Sequence, residues 1–524
     1  MTKKFYITTP IYYANGLPHI WHANSSFMAD VYARYKRLLW YDVKFSTGMD
    51  ENSQKIVQKA EELNMDVMKF LDEIEVWSKR IWDRLDISYT DFIRTTEERH
   101  KIFVQKILSK IYDNWKWEDI YQGEYQWLYC VWCEAFKNER DLNEQWLCPD
   151  HLTKPDIIKE KNRFFKLKKY EQNLKDFFKN NPNFIESATR FNEVKAFVNG
   201  WLEDFSISRE TNKFWIPLPF DDKQVTYVWF DALLNYITVC QEENEKFWSD
   251  DTYILHILGK DIVKFHATYR PAMLISAWYR LPDKEFVTWY LTVDGQKMSK
   301  SIGNIIDPVE MADKYDRDAV IFNLLYDVPI WSDWDFSEER LKNVYESMLI
   351  WWRWNLVNRV TSLCAKYGIK EWKINKQKRE EFKDEDNKLA SLFELWFDTH
   401  LLEKTFLEKW DIQWYLQDRY RLVQNTNEFI TKAEPRKKYK DDITKTDAIL
   451  DLQFLLYIVK NLALLSSPIL INWFQKIQEI FWNEDLNKIN TSKNTEDQNL
   501  FKEIFDLDSF PVNLNPTIIY IKKE

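Results

Sequence analysis

The sequence predicts an α/β protein: a doubly wound parallel sheet, interrupted by one insertion and followed by an α-helical domain. Three observations carry this. KFYITTPIYYA over residues 3–13 is rich in β-branched and aromatic residues and reads as a buried strand. A helical pattern follows it, and then a second strand at Val43–Thr47, the order that builds a parallel sheet. From about residue 340 onward the pattern is helical and strand-poor.

Taken in order, Ala14-Asn15-Gly16-Leu17-Pro18 is a turn, and a helix is predicted from near His19 to Arg37. Residues 53–84 read as helical again. Residues 115–225 break the pattern with a Cys/His cluster, a Lys-rich segment from Lys154 to Lys169 and further helix. The α/β pattern resumes at Val225–Trp229 and at Tyr253–His256, and residues 484–500 read as a loop. The expected divisions are 1–114 and 226–340 for the two halves of the sheet domain, 115–225 for the insertion and 341–524 for the helical domain.

Of the 524 residues, 45% are hydrophobic and 30% charged, the mix of a globular protein, and no run of eighteen apolar residues suggests a membrane span. The N-terminus enters a strand without the long apolar stretch of a signal peptide, so the cytoplasm is the expected compartment. A net charge of −10 argues only weakly against a nucleic-acid partner, because phosphate binding depends on local patches. Five cysteines, three of them close together, point to metal rather than to disulfides.

His19-Ile20-Trp21-His22 stands where the first strand gives way to the first long helix. Such a junction favours phosphate through free backbone N–H groups and the helix dipole, and two histidines three apart share one face. Lys297-Met298-Ser299-Lys300-Ser301 places two lysines around small hydroxyl residues beside Gly295 and Gly303, a phosphate-seeking loop. Taken singly, each motif could be a solvated surface feature.

In this order the two motifs resemble the paired signatures of the class I aminoacyl-tRNA synthetases, KMSKS letter for letter and HIGH except at Trp21. TTPIYYANGLPHI, NEVKAFVNG, LEDFSISR, VTYVWFDALLNYI, GKDIVKFHATYRPAML and VDGQKMSKSIGN are similar to the methionine branch of that family. The resemblance covers most of residues 5–360. It implies a Rossmann-type sheet domain and adenylation of L-methionine by ATP with Mg²⁺, then transfer to tRNA(Met). By the same resemblance, His19, His22, Lys297 and Lys300 stabilise phosphate charge, and Gly259, Lys260 and Asp261 line the adenosine site. Asp50 receives the substrate ammonium, a helix N-cap being the other role open to it. Ile11, Tyr13, Trp229, Leu233, Tyr236, Phe265 and His266 surround the methionine side chain, an aromatic cage suited to a polarizable thioether. Asn52-Ser53 replaces the His-Gly frequent in the family.

Cys130-x2-Cys133 and Cys148-x2-His151 have zinc-knuckle spacing, two short ligand pairs separated by a loop, which closes a tetrahedral structural Zn²⁺ site. Cys240 and Cys364 are isolated and read as core. In the helical part, Asn355 and Arg359 match the first anticodon-reading helix of the family. Where the family has Pro-Trp this chain has Pro435-Arg436, whose guanidinium could stack on a base; residues 436–440 read equally well as a solvated charge run. Enzymes for Leu, Ile or Val need a larger editing insertion, and a cysteine enzyme would set its zinc at the amino-acid pocket. An inactive paralogue serving as an RNA-binding or scaffold protein is the competing class. No further tRNA-binding module follows the helical part, so a monomer is expected.

One compositional feature stands apart: 8 Gly against 26 Trp, where about 7% Gly would give roughly 37. Trp21, Trp40, Trp117, Trp127, Trp146, Trp201, Trp215, Trp278, Trp289, Trp331 and Trp334 fall where the family has glycine, while Trp82 and Trp229 match family tryptophans. UGA codons that mean glycine in the organism, rendered as tryptophan, would account for both patterns.

Overall fold

The computed structural model describes residues 2–113, 118–130, 135–137, 142–149, 153–200, 202–210, 215–241, 245–298, 304–327, 332–373, 377–378, 411–481 and 509–511. The chain forms two compact units, Met1–Pro18 with Asp42–Thr288, and His19–Tyr41 with Trp289–Glu524.

The first unit is organised by the expected parallel sheet. Its six strands are β1 (Lys4–Tyr13), β2 (Asp42–Asp50), β3 (Asp91–Arg94), β4 (Ile185–Glu186), β5 (Thr252–Gly259) and β6 (Lys284–Thr288), in the order β3-β2-β1-β5-β6-β4. Strands covered on both faces must be apolar along their length, and Phe5, Tyr6, Ile7, Ile254, Leu255, Ile257 and Leu258 are fully buried. The chain lays β2 and β3 on one side of β1 and later places β5 on the other. The order therefore reverses between β1 and β5, the point at which open α/β sheets take ligands. Pairing of β1 with β5 ends at Thr8 opposite His256, while β1 stays paired with β2 as far as Tyr13 opposite Asp50.

Three segments differ from expectation. The 53–84 helix is two helices, Gln54–Glu62 and Val67–Arg84. Asn64 turns left-handed (φ 52°) to stop the first, and the Asp66 carboxylate caps the second by accepting from the Lys69 N–H at 3.1 Å. The Lys-rich segment is a strand, Asp156–Phe165, in a four-stranded sheet with Ile120–Cys130, Ala135–Lys137 and Phe205–Ser206. Val225–Trp229 is not one strand: Asp221–Thr226 ends there, and a helix, Val228–Ala232, starts behind Tyr227.

The second unit is mainly helical, as expected. Among its helices are Ile20–Leu38, Arg317–Tyr326, Asn355–Tyr367, Ile412–Ala433, Lys445–Ser466 and Ile471–Phe481. Lys445–Ser466 is the one described helix long and apolar enough to cross a membrane, but 89% of its apolar window is buried inside the fold, which makes it a core helix.

Candidate active site

The second unit carries the phosphate-seeking motifs. His19 is the N-cap of Ile20–Leu38, a helix with no acidic residue in its own first turn, whose dipole favours an anion at that end. The His19 backbone N–H donates to His22 Nδ1 at 3.1 Å, and the two rings lie 4.1 Å apart. With Nδ1 accepting, the proton of a neutral His22 sits on Nε2, which becomes its donor. The Ile20 N–H donates to the Ile306 carbonyl at 3.0 Å, tying the helix start to the chain just beyond the lysine motif.

Lys297 belongs to a short strand, Gln296–Lys297, paired with Leu291–Val293. Asp294 and Gly295 make the turn, both at positive φ (53° and 71°), as a tight two-residue hairpin requires. The Asp335 carboxylate braces it, accepting from the Gly295 N–H and the Thr292 hydroxyl, each at 2.8 Å. Lys300 lies outside the described residues.

The first unit carries the proposed substrate wall at the carboxyl ends of β1, β2 and β5. Trp229 and Phe265 stack at 4.1 Å with an interplanar angle of 15°. Ile11, Trp229 and Phe265 are half-buried; Leu233, Tyr236 and His266 are buried. Ile11 and Phe265 pack on the same hydrophobic core as Leu233 and Tyr236. The Tyr236 hydroxyl and His266 Nε2 are 2.8 Å apart, and His266 Nδ1 faces the Ile262 carbonyl at 3.0 Å. Burial, aided by the Arg270 guanidinium, lowers His266 to about 3, so it stays neutral at pH 7.

Asp50 is buried at the end of β2, with Tyr13 as its register partner and the Ala14 N–H on its carbonyl at 3.1 Å. Ser53, not Asp50, holds the N-cap of Gln54–Glu62. The loop between them is pinned: the Glu51 N–H donates to the Thr95 hydroxyl at 2.9 Å, Arg94 Nε to the Glu51 carboxylate at 2.7 Å, and the Asn52 amide to Asp231. Gly259 ends β5, and the Lys260 N–H donates to the Thr288 carbonyl at 3.1 Å, leaving Asp261 exposed.

Elsewhere, Asn355 is exposed and Arg359, one turn on, donates to the Asn427 side chain at 3.2 Å. Arg436 is exposed on the short helix Pro435–Lys438, but Lys438 is held by Asp447 and Asp451, so the basic run is only partly solvated. Cys130 and Cys148 are buried, whereas Cys133 and His151 lie outside the described residues. Among the described residues no group of three His, Cys, Asp or Glu could hold a metal.

A family profile described as tRNA synthetases class I (M) matches residues 5–155 and 150–361. The chain belongs to the class I methionyl-tRNA synthetases. A methionine–tRNA ligase of Thermotoga maritima is 39% identical over 448 residues, 84% of this chain and 67% of that protein. One from Nostoc sp. is 43% identical over 375 residues, 70% of each. Among solved structures, Mycobacterium tuberculosis methionyl-tRNA synthetase in complex with methionyl-adenylate superposes with a TM-score of 0.87 at 29% identity, covering 98% of this chain and 99% of that one.

Sequence reasoning missed part of what holds this synthetase's wall in place. Asp231 joins the Asp50 loop to the Trp229 helix through Asn52, two residues 179 apart in sequence. His256 is buried, with Nδ1 2.7 Å from the Thr8 hydroxyl and its ring 4.6 Å from that of Tyr236. Arg270 pairs with Glu285 at 3.1 Å and lies 5.0 Å over the Tyr236 ring, both charges fully buried. An arginine inside the apolar run ATYRPAML was the available signal.

Proposed function

We propose that the protein is a methionine–tRNA ligase that activates L-methionine with ATP and passes it to tRNA(Met). The observation that carries this is the pairing of the two motifs in one unit, HIWH at a helix N-terminus and the KMSKS lysine on a braced hairpin. In adenylation a methionine carboxylate oxygen bonds to the α-phosphorus as the bond to pyrophosphate breaks. No enzyme nucleophile is needed, so catalysis is positioning and charge stabilisation. His19, His22, Lys297 and Lys300 take the phosphate charge, with Mg²⁺ entering on ATP, and Gly259, Lys260 and Asp261 hold adenosine. Asp50 receives the ammonium group. Ile11, Tyr13, Trp229, Leu233, Tyr236, Phe265 and neutral His266 enclose the thioether. Pyrophosphate exchange into ATP that depends on methionine tests the reading; exchange with another amino acid, or none, removes it. The inactive-paralogue alternative gains nothing from the relatives, whose names are those of ligases.

The finer assignments follow the same reading. Asn355, Arg359 and Arg436 contact the anticodon from the helical domain at 341–524. The sheet domain spans 1–114 and 226–340, and 115–225 is an insertion that also lends the sheet its edge strand, Ile185–Glu186. Cys130 and Cys148 are buried thiols, and Cys130 is the register partner of Ala135 on the neighbouring antiparallel strand, which supports a knuckle completed by Cys133 and His151. Zn²⁺ there would crosslink two loops. Elemental analysis of protein purified without chelator should find about one Zn²⁺ per chain; none would remove the knuckle. The protein works as a monomer in the cytoplasm, where charged tRNA is used.

A further inference from the structure

We infer that positions 21, 40, 146 and 278 are glycines in the working protein, encoded by UGA codons that the organism reads as glycine. At position 21 the inference rests on the ligase reading; at the other three it rests on backbone conformation alone.

Five helices end with the same pair of hydrogen bonds. The residue after the helix donates three residues back and its successor five back: Trp40 and Tyr41, Asn64 and Met65, Asp86 and Ile87, Trp278 and Tyr279, Gly368 and Ile369. This closure requires a left-handed residue, normally glycine and sometimes asparagine. Gly368 is at φ 69°, Asn64 at 52° and Asp86 at 54°, but Trp40 is at 68° and Trp278 at 59°. Trp146 is left-handed too, at φ 60°, in the turn where its N–H donates to the Asn143 carbonyl at 2.9 Å. Ten described non-glycine residues have positive φ; three are tryptophan, and the rest are all Asn, Asp or Glu. Asn and Asp tolerate that region because a short polar side chain can bond locally, whereas a bulky aromatic there is an outlier.

Their surroundings do not compensate. The side chains of Trp146 and Trp278 are 56% and 70% exposed, so neither indole gains a buried contact for its backbone strain. Other tryptophans look entirely different. Trp82 is buried against Tyr12, Trp248 donates its indole N–H to the Arg280 carbonyl at 3.2 Å, and Trp229 stacks on Phe265, all without positive φ. Backbone conformation thus sets Trp40, Trp146 and Trp278 apart from the other described tryptophans, and Gly and Trp together number 34, close to the roughly 37 glycines expected.

At position 21 the indole covers the motif. Its ring stacks on His19 (6.3 Å, 29°) and on His22 (5.9 Å, 25°) and meets Tyr290 edge-on at 5.2 Å. It occupies the face of the helix N-terminus through which a nucleotide would reach both histidines; glycine leaves that face open.

The gene and two sets of variants test this. UGA is expected at codons 21, 40, 146 and 278 and UGG at codons 82 and 229, and native peptides should be lighter by the tryptophan–glycine mass difference at the first four. UGG at codons 40 and 278 would overturn the inference. In the chain translated with tryptophan, Trp40→Gly and Trp278→Gly should each shift the folding equilibrium roughly fivefold toward the folded state, by relief of one left-handed side chain, whereas Trp82→Gly should shift it strongly the other way. Destabilisation by the first two overturns the glycine assignment. Trp21→Gly should raise methionine-dependent exchange at least tenfold. If both stability shifts appear and exchange stays absent, the glycines stand and the ligase reading falls.

Discussion

The proposed methionine wall and the proposed phosphate motifs are built in opposite ways. In the first unit each wall residue is held from behind: Tyr236 by His266, Trp229 by Phe265 and by a helix tied through Asp231 to the Asp50 loop. In the second, the motifs stand at the ends of elements, His19 at a helix N-cap and Lys297 in a two-residue strand beside a turn. A thioether offers little charge to recognise, so its pocket must be dry, shaped and rigid. Phosphate offers charge in plenty, and donors at element ends can meet it directly.

If that division holds, the largest effect comes from the charge side. Lys300→Ala should slow pyrophosphate exchange roughly 10²–10³-fold, the cost of one preorganised donor at developing charge, while the KM for methionine barely moves. A parallel rise in that KM would break the division. Asp50→Asn tests the border between the two: losing a charged hydrogen bond worth about 1.5–3 kcal/mol should cut kcat/KM for methionine by roughly 10–100-fold and leave the KM for ATP alone.

The wall side predicts a pH effect on stability. His266 sits near 3 when folded because burial and Arg270 disfavour its cation. The unfolded chain, with a histidine near 6.5, therefore binds the proton first. Its contribution is complete above that value and is lost as pH falls toward 3, at about 1.4 kcal/mol per pH unit. Urea unfolding at pH 7 and pH 5 should show the parent losing roughly 2 kcal/mol more than His266→Gln. Equal losses would mean that folding leaves the proton affinity of His266 unchanged. The smallest effect is Tyr236→Phe, about 1 kcal/mol of stability, the net worth of one neutral hydrogen bond, read from the same unfolding curves.

What the sequence disclosed followed local pattern. The apolar, β-branched run of β1 could only be a buried strand, and the helical pattern from His19 ran to Leu38 as Ile20–Leu38. VTYVWF misled because a short apolar run fits a strand and a buried helix equally, and Trp229 lies on the helix Val228–Ala232. The helix break at Asn64 had a legible signal, an Asn able to turn left-handed, outweighed by the helical residues on both sides. The brace of Asn52 on Asp231 had no local signal at all, since its partners meet only through the fold. The Lys154–Lys169 segment, legible only as part of the insertion, holds a strand paired residue by residue from Asp156 to Phe165.

The helix Ile20–Leu38 has a consequence for synthesis on the ribosome. It is made long before the rest of its unit, which begins at Trp289. Its Tyr35 hydroxyl donates to the Leu465 carbonyl at 2.8 Å, 430 residues later, and Asp30 pairs with Arg317 at 3.6 Å. At roughly 5–20 residues per second, its apolar face waits about twenty seconds to a minute and a half for its partners. During that interval β1 and β2 on either side can already pair, leaving the helix looped out from a half-built sheet.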